Sequence, residues 1–159
     1  MGQQVLYRRL SLIFRCDSMV ESVTIRFVGE VEAAGETSII RLNYEFCPGL
    51  LGIEGYSHLF VLYWMHLRDD AGHRGTLQVT PPRHKWAPLT GVFACRSPSR
   101  PNPVRLTVVK LERVEGCKME VSGLDALVGS PVVDIKPYSL GDSYPEARSP
   151  GWSRRSHRD

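Results

Sequence analysis

Short apolar runs that alternate with polar residues and end at Gly or Pro are the feature that most constrains this fold. An alternation with a period of two residues is typical of a strand that buries one face. Val23, Ile25 and Phe27 alternate in this way and predict the first strand. Further strands are predicted at residues 39–44, 58–67, 104–108, 119–121 and 131–135, with a shorter run that ends at Phe93. Six or more short strands with turn signals between them predict a mainly β fold, either an antiparallel barrel or a sandwich.

Some details of the pattern carry more specific predictions. The stretch HLFVLYWMHL at residues 58–67 is apolar on both faces, which predicts a central, buried strand. The alternation over residues 104–108 changes phase at Val109, which predicts a β-bulge there. Glu115 and Gly116 are placed for the turn of a hairpin. Helical periodicity is weak, and it favours only short helices at residues 48–56 and 124–127.

Length and composition favour one globular domain. The chain has 159 residues, 42% of them apolar and 23% charged, which is typical of a single domain with a sizeable core. We predict a domain at residues 21–148, after a disordered leader or a mis-called start at residues 1–20, and before a basic flexible tail at residues 149–159. No apolar run reaches the roughly 18 residues of a membrane-spanning helix, so we expect no membrane partner.

The four cysteines show none of the spacings of a metal site. Because no C-x-x-C and no His pair at ligand spacing is present, we expect no metal and interpret the cysteines as free thiols in the cytoplasm. The sequence also has no G-x-G-x-x-G, no P-loop and no G-x-S-x-G or H-E-x-x-H motif. A Rossmann-type nucleotide site and the common hydrolase sites are therefore not supported.

Proline and arginine are concentrated in the segment CRSPSRPNPVR, residues 95–105. The three prolines fix φ and bias the residues before them toward extended geometry, so the segment is predicted to be stiff. A stiff loop presents its arginines with little ordering entropy left to lose on binding. It is equally consistent with a crossover that caps one barrel end and carries solvated arginines.

Acidic and basic residues also mark the segment VSGLDALVGSPVVDIKPYSLGDSYPEAR, residues 121–148. Asp125 follows a Gly-Leu step at a predicted strand end, and Asp134 and Lys136 lie on one face of an extended stretch. Asp134 is a candidate base or hydrogen-bond acceptor. A structural ion pair with Lys136 is the alternative interpretation.

Three motifs carry a resemblance to a known family. GIEGYSHLFVLYWMHL, GVFACRSPSRPNPVRLTVVKL and SGLDALVGSPVVDIKPY, in this order, resemble the TsaA-like family, also called the TrmO family. The resemblance implies a small antiparallel β-barrel with a few short helices that works as a homodimer. It also implies methylation of N6 of threonylcarbamoyl-adenosine beside the tRNA anticodon, with S-adenosyl-L-methionine as the cofactor.

The resemblance also assigns site residues. The cofactor-binding positions that it implies are His66, Leu67, Arg96, Leu106, Ser122, Gly123, Leu124 and Asp125. Methyl transfer is an in-line displacement, so positioning should dominate its rate. Our candidates for the catalytic residues are Asp134 as the base and Tyr138 as a positioning group. The expected RNA contacts are the basic residues Arg83, Lys85, Arg100 and Arg105, with His84 beside them. Trp86 is either a base-stacking or a packing residue.

Three features depart from the family pattern. The Pro-Arg-Gln loop that follows the first strand in other members is absent. Arg105 stands where members commonly have Gly, and Val128 replaces an acidic residue. These departures keep two alternatives open: a noncatalytic or regulatory binding module on the same fold, and a methyltransferase that acts on a small molecule.

Overall fold

The strands of the protein close into a barrel. A computed structural model describes residues 23–84 and 86–153. Its strands are β1 (Gly29–Ala33), β2 (Thr37–Leu42), β3 (His58–Trp64), β4 (Gln78–Val79), β5 (Thr90–Gly91), β6 (Val104–Glu115), β7 (Lys118–Ser122) and β8 (Pro131–Pro137). Six of these form a closed barrel in the order β1-β2-β7-β6-β3-β8, and every neighbouring pair is antiparallel. The predicted small antiparallel barrel is confirmed, and the sandwich is excluded.

Short helices fill the connections within the described ranges. The α-helix α1 spans Ala71–Gly75, and the 3₁₀ helices span Tyr44–Leu50, Ile53–Gly55, His66–Arg68, Val92–Ala94, Leu140–Asp142 and Gly151–Ser153. The first two 3₁₀ helices confirm the helical prediction for residues 48–56. The prediction for residues 124–127 was wrong, because that stretch forms no helix. In the described part of the chain, no helix is long and apolar enough to span a membrane.

The barrel interior is filled by aliphatic side chains from every strand. The fully buried ones are Val31, Ile40, Leu59, Val61, Val109, Met119, Val121 and Val132. Gly29 is required where β1 and β2 approach each other, because a Cβ there would collide with the backbone oxygen of Arg41. The β6–β7 hairpin turns at Gly116 and Cys117, one residue later than predicted, and Gly116 has a φ of +58°.

The face of strand β6 that enters the core is the opposite of the one that its apolar residues predicted. Leu106 and Val108 are 42% and 41% exposed, whereas Val109 is 1% exposed. The β3–β6 register runs without interruption from His58↔Lys110 to Trp64↔Val104. The predicted bulge at Val109 was therefore wrong. The register shift lies between Leu111 and Arg113, against β7.

Two neighbouring valines test this orientation. Val109→Ala should lower the free energy of unfolding by about 2 kcal/mol, because two buried methyl groups are lost and a cavity remains. Val108→Ala, the same substitution one residue earlier, should cost about 0.5 kcal/mol or less because its side chain faces outward. Urea unfolding of both variants measures the difference, and equal losses would contradict the orientation of β6.

The N-terminal part of the first predicted strand is irregular. Residues 23–28 form no strand, and β1 begins at Gly29, so the prediction for residues 23–27 was wrong. Phe27 instead packs at a tilt against Trp64, with ring centroids 6.1 Å apart. Its backbone oxygen accepts a hydrogen bond from the Asn43 side chain at 3.1 Å.

Two cysteines are paired. Cys47, in the 3₁₀ helix Tyr44–Leu50, forms a disulfide with Cys117 in the β6–β7 turn. The prediction of free thiols was wrong for this pair, whereas Cys95 is a free thiol. Cys16 lies outside the described residues, as do the predicted leader at residues 1–20 and residues 154–159 of the predicted tail. Within the described part of that tail, Trp152 packs edge-on against His84 at 5.6 Å.

Candidate functional site

Three segments meet at one end of the barrel. They are the 3₁₀ helix His66–Arg68 after β3, the proline-arginine segment before β6, and the turn after β7. Antiparallel pairing of β3 with β6 and of β6 with β7 puts these chain ends at the same edge. The Met65 amide donates to the Pro103 carbonyl at 2.8 Å, which ties the first two segments together.

The Asp125 carboxylate is the centre of this end of the barrel. Its Oδ1 atom accepts hydrogen bonds from the Tyr63 hydroxyl at 3.0 Å and the Thr107 hydroxyl at 2.5 Å. Its Oδ2 atom accepts from Arg105 Nη2 at 2.5 Å. Nη1 of the same guanidinium donates to the Arg96 carbonyl at 3.4 Å. Arg105 therefore joins the proline-arginine segment to the Asp125 turn.

This network shifts the pKa of two of its members and keeps both in their ordinary state of charge at neutral pH. Burial disfavours the charged form of Asp125, but the Thr107 hydrogen bond and the Arg105 charge outweigh it and lower the pKa of the carboxyl. Burial also raises the pKa of the Tyr63 hydroxyl, and the neighbouring Asp125 charge adds to that shift. At neutral pH the site therefore contains an ionised Asp125 and a neutral Tyr63.

The proline-arginine segment is held by internal hydrogen bonds. Arg100 Nη2 donates to the Val92 carbonyl and, at 3.0 Å, to the Cys95 carbonyl. The Ser99 amide donates to the Ser97 hydroxyl at 3.2 Å. Because one side chain spans eight residues of loop, the segment is braced as well as restricted by its prolines, in agreement with the stiffness that the sequence predicts.

A small cavity lies within the segment. Its volume is about 140 Å³, and its lining comprises Met65, Arg96, Ser97, Arg100, Val104, Arg105 and Leu106. The Nε atoms of Arg100 and Arg105 are buried and have no hydrogen-bond partner among the described residues. Nδ1 of His66, on the adjoining 3₁₀ helix, is in the same state. Buried polar atoms without hydrogen-bond partners are rare in folded proteins, so these three atoms mark this end of the barrel as a candidate binding site.

The residues predicted to bind a cofactor lie around this end of the barrel. Leu67 is 64% exposed and Leu124 is 8% exposed. Gly123 has a φ of +85°, which turns the chain from β7 toward Asp125. The Ser122 hydroxyl donates to Glu112 at 2.7 Å, on the outer face of the sheet. The structure thus brings Arg96, Leu106 and Asp125 together, whereas the Ser122 hydroxyl points to a different partner.

The residues predicted to be catalytic lie on the outer face of β8 and just beyond its end. Asp134 Oδ2 pairs with Lys136 Nζ at 2.8 Å, and its Oδ1 accepts from the Ile135 amide at 2.9 Å. Leu62 separates Asp134 from Leu106 across the sheet, which places the two backbones about 10 Å apart. Tyr138 packs edge-on against Phe60, about 13 Å along the strand from Asp134. The two residues are not brought together, and their catalytic roles stay predictions.

Some of the residues predicted to contact RNA are exposed, whereas the side chains of others already contact groups within the protein. Arg83 is exposed, and Lys85 lies outside the described residues. Trp86 is 81% exposed. Arg100 is bound to carbonyls of its own loop, and the Arg105 side chain is 14% exposed and paired with Asp125. Phosphate contacts by these residues stay a prediction.

Tyr63 and Thr107 are site residues that the sequence reading missed. Tyr63 lies on the inward face of β3, one residue before the strand ends, and is 4% exposed. Thr107 shares the inward face of β6 with Arg105. The period-two pattern gave no signal for either residue, because it assigned Thr107 to the outer face of β6 and Tyr63 stands in a run that is apolar on both faces. Both are identified by their hydrogen bonds to Asp125, which is 62 residues from Tyr63 and 18 from Thr107.

The fold and the site define a class of protein: a small closed antiparallel barrel with a charged polar site at one end. The chain belongs to the family described as the tRNA-methyltransferase O N-terminal domain, whose sequence model matches residues 29–141. The TsaA-like resemblance is thereby confirmed.

Curated relatives and solved structures agree with this assignment. A probable S-adenosyl-L-methionine-binding protein of Archaeoglobus fulgidus is 50% identical over 104 residues, which is 65% of this chain and 27% of the relative. A tRNA (adenine(37)-N6)-methyltransferase of Rattus norvegicus is 43% identical over 101 residues, 64% of this chain and 23% of the relative. The crystal structure of TrmO from Pseudomonas aeruginosa superposes with a TM-score of 0.64 at 25% identity, over 82% of this chain and 63% of that one. The chain thus spans about a quarter of the length of these two curated relatives.

Proposed function

We propose that this protein is an S-adenosyl-L-methionine-dependent methyltransferase that acts on N6 of threonylcarbamoyl-adenosine next to the tRNA anticodon. Family membership and the names of the relatives support the reaction and the cofactor. The observation that carries the proposal is the Arg105 side chain, which contacts both the Arg96 carbonyl and the Asp125 carboxylate. The two segments that resemble the family's cofactor site therefore meet at one barrel end.

The residues at this end fit the cofactor's chemistry. S-adenosyl-L-methionine supplies an electrophilic methyl group and carries an ammonium and a carboxylate at its amino-acid end. Asp125 is ionised and offers an acceptor for the ammonium, and Arg96 offers donors. His66 Nδ1 is a buried atom without a hydrogen-bond partner among the residues that the structure describes. Leu106, half exposed at the cavity wall, offers apolar surface.

The chain's own contribution to the reaction is positioning and removal of one proton. Asp134 is the proposed base that takes the N6 proton as the new N–C bond forms, since the adjacent urea carbonyl acidifies that proton. To take this proton, the Asp134 carboxylate must give up its ion pair with Lys136 and contact N6 of the modified adenine instead. Tyr138, about 13 Å away along the strand, is proposed to position another part of the RNA.

A homodimer is proposed to complete the site. The outer face of β3 and β6 carries Phe60, Leu62, Leu106 and Val108 in register, and the last two are about 40% exposed. Asp134 lies on the same face, opposite Leu62. A second copy that packs there would cover the apolar residues and bring Asp134 close to a neighbouring cofactor site.

The tRNA partner and a cytoplasmic location are proposed together. Arg83, in the loop between β4 and β5, is the exposed arginine of the predicted RNA contacts. Binding through such residues releases counterions, so affinity for tRNA should fall as salt rises.

A noncatalytic binding module is the second candidate. The observation that favours it is the Asp125 carboxylate, which already accepts three hydrogen bonds from its own chain. In a binding module of this kind, Arg105 would occupy the Asp125 carboxylate that an enzyme would use to bind the cofactor.

Calorimetry and nucleoside analysis separate the two candidates. The methyltransferase should bind S-adenosyl-L-methionine and convert threonylcarbamoyl-adenosine in isolated tRNA to its N6-methylated form, which mass spectrometry of digested nucleosides detects. Unmethylated tRNA together with no heat of cofactor binding would favour the module. Cofactor binding with methyl transfer only to small acceptors would contradict the tRNA substrate but keep the reaction class.

A further inference from the structure

The Cys47–Cys117 disulfide and the candidate functional site lie at opposite ends of β6. This strand begins at the proline-arginine segment and ends at the turn that carries Cys117. Both cysteines are partly exposed to solvent. The turn borders an open cavity of about 490 Å³, whose lining includes Cys117 but not Cys47. Small-molecule sites commonly have volumes of about 300–1,000 Å³, so a small molecule has room to approach the disulfide from the side of Cys117.

Charged side chains of both signs surround this cavity. Arg41 and Lys118 face each other across β2 and β7 and line the cavity, together with Glu115. Glu32 lies 3.9 Å from Arg41 and 2.7 Å from Lys118. Glu30 also pairs with Arg41. A disulfide is attacked by a thiolate, which is an anion. The two cations therefore offset carboxylates that would otherwise repel the attacking sulfur.

We propose that the disulfide is a site of reversible thiol–disulfide exchange with a low-molecular-weight thiol, such as a cysteine-containing tripeptide, that enters this cavity. The incoming thiolate attacks Cys117 Sγ, and a mixed disulfide forms as the Cys47–Cys117 bond breaks. The bonding electron pair stays on Cys47 Sγ, which takes a proton from water. A second thiolate then attacks the added sulfur and releases Cys117 as a thiolate. Two small thiols are thereby oxidised to one disulfide while the protein disulfide is reduced.

The surroundings of the two cysteines allow the crosslink to open within the folded barrel. Cys47 lies in the 3₁₀ helix Tyr44–Leu50 and outside the core cluster. The turn stays held to β2 by the hydrogen bond from the Leu42 amide to the Cys117 carbonyl at 2.9 Å. A disulfide in a reducing compartment is usually transient and redox-sensing, which suits the cytoplasmic location proposed above. The exchange chemistry itself does not depend on the proposed function.

Mapping of the first adduct tests which sulfur is attacked. The oxidised full-length protein is mixed with glutathione, quenched with a maleimide and digested without reduction. Glutathione should be found on Cys117 and the maleimide on Cys47. In Cys47→Ser, the free Cys117 thiolate should attack oxidised glutathione, form the same mixed disulfide and release one glutathione thiolate. An adduct on Cys47 in the wild type, or none on Cys117 in Cys47→Ser, overturns the proposal.

The rate law shows whether the folded protein is attacked. Direct attack through the cavity should give a rate of disulfide reduction that is proportional to glutathione concentration. Because no surface has to be exposed first, this rate should stay within about twofold up to about 1 M urea. A rate that levels off at high glutathione and rises steeply with urea would mean that the sulfur is reached only after local unfolding. That result would exclude the cavity as the place of exchange.

Two lysines provide a matched pair of variants. Lys118 lines the cavity, is 50% exposed and pairs with Glu32 at 2.7 Å, whereas Lys110 lies on β6 outside the cavity, is 57% exposed and pairs with Glu112 at 2.8 Å. Lys118→Gln leaves Glu32 without this cation and should slow the exchange about two- to fivefold. Lys110→Gln should leave the rate unchanged. Equal rates in the two variants would contradict attack through the cavity, and no RNA or cofactor is needed for the measurement.

Discussion

Replacing Asp134 with Asn should lower the rate constant of methyl transfer to N6 by about 100- to 10,000-fold, the range of a lost general base. Asparagine has nearly the same shape but cannot take up the N6 proton. The Asp134 carboxylate is on the outer face of β8, about 10 Å from Leu106 across the sheet. Affinity for S-adenosyl-L-methionine should therefore stay within about twofold of the wild type. Single-turnover methylation of tRNA and calorimetry measure the two quantities.

Asp142→Asn is the matched control for this substitution. Asp142 is an exposed carboxylate that accepts from the Ser139 amide at 2.7 Å in a capping box, away from the sheet. Its replacement should leave the rate unchanged. An unchanged rate in Asp134→Asn as well would show that Asp134 serves only as the ion-pair partner of Lys136.

Strand periodicity predicted most of the barrel because most strands have one clearly apolar face. Strand β7 has Met119 and Val121 buried and Lys118 exposed, as an alternating pattern requires. Strand β3 was predicted from a continuous apolar run, and its alternate residues are fully buried and half-buried. In strands such as β7 the hydrophobic pattern alone determines which face enters the core. The continuous apolar run of β3 predicted a strand buried on both faces, and this was wrong for its outer face, which is only half-buried.

In strand β6 the hydrophobic pattern predicts the wrong core face. Its outer face carries Leu106 and Val108, and its inner face carries Arg105 and Thr107. A local pattern assigns the apolar face to the core, because a buried arginine is costly without a partner. The partner is Asp125, which follows Arg105 by 20 residues and reaches it only through the β6–β7 hairpin. The orientation of β6 therefore depends on tertiary contacts: Val109 and Leu111 pack in the core, and Asp125 pairs with Arg105 on the same face.

The same limit applies to the candidate site. The motifs placed Arg96 and Asp125 in two binding segments, and the structure brings these segments to one barrel end. The residue that joins them, Arg105, was predicted instead to contact RNA. Sequence spacing indicates which residues share a strand face, but it does not indicate which donors remain unpaired once the loops are closed.

The cysteines were misread for a related reason. Cys47 and Cys117 are 70 residues apart in sequence, and no local motif connects them. The two come together because Cys47 lies in the helix that directly follows β2 and Cys117 in the turn that precedes β7, the barrel neighbour of β2. The Leu42 amide donates to the Cys117 carbonyl at 2.9 Å and holds that turn against the end of β2.

Opening the Cys47–Cys117 disulfide should lower the free energy of unfolding by about 2–4 kcal/mol. The crosslink joins residues 70 positions apart and closes a loop that contains all of β3 to β6, so its removal frees a large part of the unfolded chain. Cys117 also packs against the barrel core, so a variant at that position would lose packing as well. Cys47→Ser, whose side chain lies outside the core cluster, is therefore the cleaner variant.

Urea unfolding with and without a thiol reductant measures the contribution of the disulfide. With reductant, Cys47→Ser and the wild type should have the same free energy of unfolding. Without reductant, the wild type forms the disulfide and should be more stable than Cys47→Ser. Cys95→Ser, which removes the free thiol of the proline-arginine segment, should retain the full difference between oxidised and reduced protein. Because disulfides are rare in the reducing cytosol, thiol counting on protein from alkylated cells shows whether the pair is oxidised there. Equal stability of oxidised wild type and Cys47→Ser would contradict a stabilising role for the crosslink.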